Sequence, residues 1–193
     1  MKRIFLDIGA NTGQTIDFAL RKEFQIDLIY GFEPSPICLS QLNKKYHKNP
    51  KVVILPFGLW TETCEIDLHN EGSQGGTILE DYKTTCNPTI RVTKCQFVCA
   101  SDWFRNNIIE KCELFLKMNC EGSECDIVNN LLDSGEYDKV TCAFIDYDVR
   151  KSNSVAHKEK QLKERLKQLN INNLKVYMGS SRHLIMVSKL RVK

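Results

Sequence analysis

The sequence contains no long apolar run: none approaches the ~20 residues that a membrane-spanning helix needs. It also has no secretory signal pattern, because residues 1–6 place two basic residues directly before a short strand-like run and no cleavage-like site follows. A long polar tract of the kind that marks disorder is missing as well. These absences predict a cytoplasmic globular protein, and a length of 193 residues predicts one domain over 1–193.

The spacing of a metal or redox site is also missing. The nine cysteines include no C-x-x-C pair, and none of the four histidines stands at metal-ligand spacing from another. Several cysteines lie within strand-like apolar runs, where a reduced thiol behaves as a small hydrophobe. We therefore predict that no metal is bound and that the thiols are buried or inert. Of the histidines, His69 alone is predicted to lie near the mouth of a ligand site.

Charge of one sign is not in large excess, because 27 Lys and Arg residues stand against 24 Asp and Glu residues. Nucleic-acid-binding proteins usually carry a stronger basic stripe. The most charged stretch, residues 155–169, places Leu162, Leu166 and Leu169 on one face. This pattern predicts an amphipathic helix that packs on the protein with its charged face in solvent, and a nucleic-acid contact is the less favoured alternative.

Short apolar runs alternate with helical patterns along most of the chain. The strand-like runs cover residues 3–8, 27–33, 51–59, 113–119 and 139–146. The helical patterns cover residues 15–23, 35–47, 101–110, 123–132 and 155–169. Ser35 is predicted to cap the second helix, with Pro36 in its first turn. The alternation predicts parallel strands that are joined by right-handed helical crossovers.

Residues 60–100 depart from this rhythm. They contain alternating runs at 64–70 and 90–99, which predict a β-hairpin-like insertion over one end of the sheet. The glycine-rich stretch EGSQGGT (71–77) between them is predicted to be either a lid over a ligand or a plain hairpin tip.

The last two apolar runs, LKVYMG (174–179) and HLIMVSKL (183–190), are predicted to form a closing pair of strands. The expected fold is therefore an α/β fold with a doubly wound, mostly parallel sheet and a terminal antiparallel strand. Ligands of such sheets bind beyond the carboxyl ends of the strands.

The opening stretch FLDIGANTGQT (5–15) runs from the first strand into the first helix, at this ligand-binding end. Gly9 and Gly13 allow a tight turn and a close approach of the backbone to a ligand. The dinucleotide fingerprint G-x-G-x-x-G would require glycine where the chain has Asn11 and Gln14. A pyrophosphate-binding dehydrogenase is therefore disfavoured.

Glu33, in GFEPSP at the end of the second strand, is the second indication of a ligand. An acid at this point is placed to accept hydrogen bonds from both hydroxyls of a ribose. The loop and the acid together predict an adenosine-containing ligand, and the missing phosphate fingerprint favours S-adenosylmethionine. The alternative for the loop is an ordinary turn that binds nothing.

Four pieces of sequence occur in a recognisable order: FLDIGANTGQT, FEPSP, GLW (58–60) and LFLKMNCEGSE (114–124). Together they resemble the FkbM family of S-adenosylmethionine-dependent methyltransferases over residues 4–148. The first two pieces are shared with many class I methyltransferases, and K-x-x-x-E-G-x-E is the more specific one. The resemblance implies a Rossmann-like fold with seven strands, the last antiparallel. It also implies methyl transfer to a hydroxyl on a sugar, glycan or other small metabolite.

The resemblance further implies roles for individual residues. Those implied to bind the cofactor are Asp7, Gly9, Ala10, Asn11, Thr12, Gly13, Glu33, Pro34, Ser35 and Gly58. The first loop would line the methionine half of the cofactor, Glu33 would hold the ribose, and Pro34 and Ser35 would lie along the adenine edge. Lys117, Glu121 and Glu124 match the motif on the fourth strand beside the reaction centre.

The residue that takes the acceptor's proton is left open by one departure from the family pattern. Where the family has aspartate the chain has Asn119, whose amide can orient a hydroxyl but cannot take its proton. Glu121 and Asp146 are the candidate bases, and Asp148 and Lys117 are weaker ones. The alternatives are a helix cap for Glu121 and an ion pair for Lys117 and Asp146.

Two other functions compete with methylation of a small acceptor. One is an RNA methyltransferase on the same fold. The other is a cofactor-binding homologue that has lost catalysis, which Asn119 suggests.

Overall fold

The computed structural model describes residues 1–72, 75–83, 91–176 and 182–191, and within them the chain alternates strands and helices. The strands are β1 (Arg3–Ile8), β2 (Leu28–Phe32), β3 (Val52–Leu55), β4 (Gly58–Trp60), β5 (Cys64–His69), β6 (Val92–Cys99), β7 (Glu113–Met118), β8 (Val140–Ile145) and β9 (Leu174–Val176). The α-helices are α1 (Gln14–Ala19), α2 (Pro36–Tyr46), α3 (Ala100–Asn107), α4 (Glu124–Asp133), α5 (His157–Gln168) and α6 (Arg182–Leu190). In this part of the chain no helix is long and apolar enough to cross a membrane.

The main sheet has the order β3-β2-β1-β7-β8-β9, and each neighbouring pair is parallel. From β1 the chain adds strands on one side through β2 and β3. It then returns to the other side of β1 through β7, β8 and β9. The order reverses between β1 and β7, and this reversal leaves a crevice where the strands end, here called the carboxyl edge. The predicted doubly wound α/β fold is confirmed.

A second sheet, with the order β4-β6-β5, is formed by the inserted segment (residues 60–100) and the strand just before it. β5 and β6 pair antiparallel, as expected for the predicted β-hairpin-like insertion, and β4 pairs parallel with β6. The single strand predicted over 51–59 is therefore two strands. Pro56 follows the end of β3 and has no amide hydrogen to continue the ladder, so the chain turns there before β4 begins.

The prediction of a terminal antiparallel strand is wrong, because residues 183–190 lie in α6. Buried Met186 and Leu190 are four residues apart, as on one face of a helix, and they pack in the same apolar layer as Phe5. A short apolar run fits the period of a strand or of a helix, and here the helical period applies. β9 pairs parallel with β8, and residues 177–179 of its predicted run lie outside the described residues. The described main sheet thus has six strands, all parallel, instead of seven.

An apolar layer covers each face of the main sheet. Helices α3, α4 and α5 cover one face, and α1, α2 and α6 cover the other. Successive side chains of a strand point to opposite faces, so Ile4, Leu6 and Ile8 of β1 join the first layer and Phe5 joins the second. Asp7 is therefore on the same face of the sheet as Phe5, near the carboxyl edge. Its carboxylate is buried there, and a buried charge needs a group of opposite charge beside it.

Candidate functional site

A cavity of about 570 Å³ lies at the carboxyl edge, next to the inserted segment. This volume is within the range of about 300–1,000 Å³ that is usual for small-ligand sites. The predicted site residues that line it are Gly9, Ala10, Asn11, Glu33, Pro34, Ser35, Gly58, Lys117, Asn119 and Glu121. Five predicted site residues lie outside the lining: Asp7, Thr12, Gly13, Glu124 and Asp146. The fold thus brings residues from several distant loops to one cavity.

The loop after β1 has a shape that requires glycine at two positions. Gly9 has φ +80°, and a Cβ there would lie 2.2 Å from the backbone oxygen of Asn119. Gly13 has φ +83°, and a Cβ there would lie 2.4 Å from Tyr46 Oη. Asn11 is also left-handed, with φ 48°, which asparagine tolerates better than most residues. The loop therefore packs closely against β7 and α2 and presents its backbone to the cavity.

Glu33 follows β2 and connects the two loops on its side of the crevice. Its Oε2 accepts a hydrogen bond from the Asn11 amide at 2.7 Å, and its Oε1 accepts one from the Ser35 amide at 2.9 Å. A carboxylate has about four lone-pair sites, so the group retains acceptor capacity toward the cavity. Burial raises the pKa of Glu33 to about 7, against the opposing effect of the two amide hydrogen bonds.

Asp7 and Lys117 form a buried ion pair beneath the first loop. The two residues are opposite each other in the β1–β7 register, and Lys117 Nζ lies 2.9 Å from Asp7 Oδ1. The same ammonium donates a hydrogen bond to the Gly9 carbonyl oxygen at 2.9 Å. Burial raises the pKa of Asp7, although Lys117 acts to lower it. The ion pair therefore ties the start of the loop to the sheet, and Asp7 is the partner of Lys117 in it.

The inserted segment is attached to the start of α2 by Glu71. Glu71 Oε1 accepts hydrogen bonds from Ser35 Oγ at 2.6 Å and from the Ile37 amide at 3.2 Å. Ser35 Oγ in turn accepts one from the Cys38 amide at 3.3 Å, which confirms the predicted cap of α2. These bonds hold the insertion against the side of the cavity that Glu33 and Ser35 line.

Glu121 lies in the loop after β7, with its carboxylate held by three side chains. Its Oε2 accepts hydrogen bonds from Tyr82 Oη and from Lys151 Nζ, the latter at 3.2 Å. Its Oε1 accepts a longer one from Asn119 Nδ2 at 3.4 Å. Lys151 also pairs with Asp148 at 2.8 Å. Burial raises the pKa of Glu121 and the Asp148 carboxylate adds to this, so Glu121 is a stronger base than an ordinary glutamate.

In the described part of the chain, no donor reaches the side-chain oxygen of Asn119. This Oδ1 atom is buried and has no hydrogen-bond partner among the described residues. Leaving a buried acceptor unsatisfied costs about 1–3 kcal/mol, which a ligand that donates an N–H or O–H would recover. Because Asn119 lines the cavity, its oxygen is suited to a ligand with such a donor.

Glu124, at the start of α4, accepts hydrogen bonds from backbone amides. Its carboxylate accepts hydrogen bonds from the Cys120 amide at 2.8 Å and from the Gly122 amide at 3.1 Å. Burial raises the pKa of Glu124 to about 8, and Asp148 adds to the rise. Glu124 thus holds the turn that leads into α4, whereas the side chain of Glu121, for which a capping role was the alternative, contacts the insertion instead.

Several other predicted features have defined positions. Asp146 is buried directly after β8, and Asp148 lines the cavity two residues later. Of the predicted glycine lid, Gly72, Gly75 and Gly76 line the cavity, and residues 73–74 lie outside the described part of the chain. The eight cysteines in the described ranges are free thiols, and no group of His, Cys, Asp or Glu in those ranges could hold a metal ion.

Sequence reasoning missed Tyr82 and Lys151. Tyr82 is in the inserted segment, and it contacts Glu121, which is 39 residues away in the sequence. No local motif indicates this contact. Lys151 had a usable signal, because it follows β8, which ends at the same edge as the strand before Glu121. Charged residues shortly after a parallel strand are candidates for a site at that edge.

Comparison with known proteins supports the fold. No protein-family model matches the chain, and no curated protein matches it either. Among solved structures, the chain is similar to the crystal structure of the methyltransferase FkbM from Methylobacillus flagellatus KT, with 14% sequence identity and a TM-score of 0.51. The match covers 89% of this chain and 38% of that one. A likeness at this identity establishes a shared Rossmann-like α/β fold.

Proposed function

We propose that this protein is an S-adenosylmethionine-dependent methyltransferase that methylates a hydroxyl on a sugar, glycan or other small metabolite. The main observation behind the proposal is the environment of the Glu33 carboxylate. This group is buried at the carboxyl edge, held by the amides of Asn11 and Ser35, and retains lone pairs for two ribose hydroxyls. The first loop lacks the pyrophosphate fingerprint, so an adenosine ligand without pyrophosphate fits best.

Three properties of the cavity wall support this cofactor. Gly9 lines the cavity and has no side chain, so what it presents to a ligand is its backbone. The unsatisfied Asn119 Oδ1 suits the α-ammonium group of the cofactor's methionine part. Among the Asp, Glu, Lys, Arg and His residues of the lining, three are acids (Glu33, Glu121 and Asp148) and two are bases (Lys117 and Lys151). An acidic wall favours a sulfonium cation.

Bound S-adenosylmethionine would supply an electrophilic methyl group, and the protein would hold the acceptor hydroxyl and take its proton. Positioning of this kind contributes ~7–11 kcal/mol. We assign the base to Glu121, since its raised pKa suits proton transfer and it lines the cavity. Asn119 cannot take a proton, but its Nδ2 hydrogen bond to Glu121 Oε1 helps to orient the carboxylate. Asp148 is the next carboxylate in the lining.

Glu121→Gln is expected to slow methyl transfer by ~10²–10⁴-fold, because the amide keeps the shape of the side chain but cannot accept a proton. The assay is transfer of labelled methyl from S-adenosylmethionine into a small-molecule extract of the source organism. Affinity for S-adenosylhomocysteine should be unchanged. Glu136→Gln is the matched control, since Glu136 is another buried glutamate, paired with Lys139, outside the cavity lining. Full activity of Glu121→Gln would remove Glu121 as the base.

Cofactor affinity is expected to depend on pH through Glu33. Its pKa of about 7 means that the carboxylate predominates at higher pH and the neutral acid at lower pH. Only the carboxylate has both oxygens available as acceptors, so lowering the pH from about 8 to about 6 should weaken S-adenosylhomocysteine binding about tenfold. Isothermal titration calorimetry measures the effect. Glu33→Gln should bind weakly at both pH values, and a flat wild-type profile would contradict the assignment.

Charge pairing on α5 supports a small acceptor over RNA. Four of the five Lys and Arg side chains of α5 form ion pairs within the protein: Lys158 with Asp126, Lys160 with Glu164, Lys163 with Glu159, and Arg165 with Asp133. Affinity for nucleic acid comes mainly from basic side chains that contact phosphates. A helix whose cations are largely compensated in this way provides little of that affinity.

A further inference from the structure

Residues 77–83 of the inserted segment, here called the strap, cross the loops that follow β7 and β8. Thr77 Oγ1 donates a hydrogen bond to the Glu121 carbonyl oxygen at 2.6 Å. Leu79 packs against Gly122, where a Cβ would lie 2.4 Å from Leu79 Cδ1. At the far end of the strap, the Lys83 amide donates to the Lys151 carbonyl oxygen at 2.8 Å. The insertion thus contacts the backbone on both sides of the Glu121 carboxylate.

A separate anchor fixes the strap from outside the cavity lining. Asp81 accepts hydrogen bonds from Ser152 Oγ, from the Ser154 amide at 2.9 Å and from Ser154 Oγ at 3.0 Å. With this anchor and the backbone contacts in place, the strap does not depend on the Tyr82 hydroxyl for its attachment. The contact of the Tyr82 hydroxyl with Glu121 therefore calls for an explanation other than attachment of the strap.

Tyr82 and Lys151 both donate to one oxygen of Glu121. Tyr82 is buried, and its Oη donates to Oε2, the same oxygen to which Lys151 Nζ donates at 3.2 Å. Burial raises the pKa of Tyr82 far above its usual range, so the phenol keeps its proton and remains a donor. Glu121 Oε1 has only the longer contact with Asn119 at 3.4 Å among its described side-chain hydrogen bonds.

We infer that Tyr82 is a positioning residue for the acceptor end of the site. Its hydroxyl, together with Lys151, occupies Glu121 Oε2 and so makes Oε1 the atom that takes the proton of the acceptor hydroxyl. The inference rests on the proposed methyl transfer and assigns the inserted segment a direct part in it. Tyr82 acts through Glu121, because Tyr82 itself is outside the cavity lining.

Titratable groups from three elements meet at this contact. Tyr82 comes from the strap, Asp148 and Lys151 come from the turn after β8, and Glu124 comes from α4. Tyr82 and Lys151 stabilise the Glu121 carboxylate, and Asp148 opposes it. Removing the Tyr82 hydroxyl therefore removes one of the two donors to Oε2 and leaves the repulsion in place, so the Glu121 carboxyl should hold its proton to higher pH.

The test is a ¹³C NMR titration of the Glu121 carboxyl in the ligand-free protein. Tyr82→Phe should move its titration midpoint upward by about 1 pH unit, the size expected for loss of a hydrogen bond to the charged form. Tyr137→Phe is the matched control, because the buried Tyr137 hydroxyl has no partner among the described residues. Asp81→Asn tests the anchor alone. Neither control should move the midpoint, and a shift in Asp81→Asn as large as that in Tyr82→Phe would overturn the inference.

A second measurement follows the Tyr82 ring by ¹³C NMR in a protein that keeps the Tyr82 hydroxyl. The Tyr82 Cζ resonance should titrate at the same pH as the Glu121 carboxyl and lose this step in Glu121→Gln, whereas the Tyr137 Cζ resonance should show no such step. An unchanged Glu121 midpoint in folded Tyr82→Phe, or a Tyr82 resonance indifferent to Glu121, would overturn the inference. Both experiments are done without cofactor, so they are independent of S-adenosylhomocysteine binding, whose absence would instead refute the proposed function.

Discussion

Gly9→Ala is expected to abolish cofactor binding and to destabilise the fold. Alanine at φ +80° carries the left-handed penalty of ~1–2 kcal/mol, and its Cβ would also lie 2.2 Å from the Asn119 carbonyl oxygen. Relief of that contact requires β7 and the first loop to separate, at a further cost of ~1–3 kcal/mol. The loop then leaves the position from which the Asn11 amide reaches Glu33. Chemical denaturation measures the stability, and calorimetry with S-adenosylhomocysteine measures the binding.

Gly135→Ala is the matched control for this substitution. Gly135 has φ +77°, nearly the same backbone conformation, but a Cβ there would have nothing within 4 Å. It should therefore lose only the left-handed penalty of ~1–2 kcal/mol and keep full affinity for S-adenosylhomocysteine. If the two variants were equally stable and bound equally well, close packing of the first loop on β7 would not be what shapes the site.

Lys117→Met is expected to lower the free energy of unfolding by ~3–5 kcal/mol, because it leaves a buried carboxylate without its partner. Asp7 is 0% exposed, and Lys117 Nζ lies 2.9 Å from its Oδ1. The substitution also removes the donor to the Gly9 carbonyl oxygen, so the first loop should loosen. Urea denaturation gives the free energy, and adding Asp7→Asn to Lys117→Met should restore part of it, since the neutral amide has no charge to compensate.

Lys45→Met provides the exposed counterpart. Lys45 pairs with Asp17, but the two side chains are 42% and 51% exposed. Solvent screens such a pair, so its loss should change the stability by less than ~1 kcal/mol. A loss in Lys117→Met no larger than that in Lys45→Met would mean that the buried pair does not support the loop.

Much of the fold follows from local sequence patterns. The apolar runs of β1, β2, β7 and β8 and the helical patterns between them predict a doubly wound sheet, and the Ser35 cap marks the start of α2. One exception is α6, where a run of eight residues fits both periods. What decides it is the packing of Met186 and Leu190 against the sheet, a tertiary contact that no local pattern encodes.

The candidate site, like the fold, can be predicted only in part from local sequence patterns. The first loop and Glu33 are adjacent to strand ends, so their position at the carboxyl edge can be predicted. Two contacts of the site join residues that are far apart in the sequence: Lys117 pairs with Asp7, and Tyr82 donates a hydrogen bond to Glu121. No local pattern predicts these contacts. The insertion that contributes Tyr82 was predicted as a hairpin-like covering, but which of its side chains reaches the site depends on how the strap packs.

The most direct test of the proposed function is a calorimetric titration of S-adenosylhomocysteine into the wild-type protein at about pH 8, where most of the Glu33 side chain is ionised. NAD⁺ is the comparison ligand, because it carries the same adenosine with a pyrophosphate. The proposal predicts one S-adenosylhomocysteine bound per chain and much weaker binding of NAD⁺. Absence of S-adenosylhomocysteine binding, or NAD⁺ binding of equal or greater affinity, would contradict it.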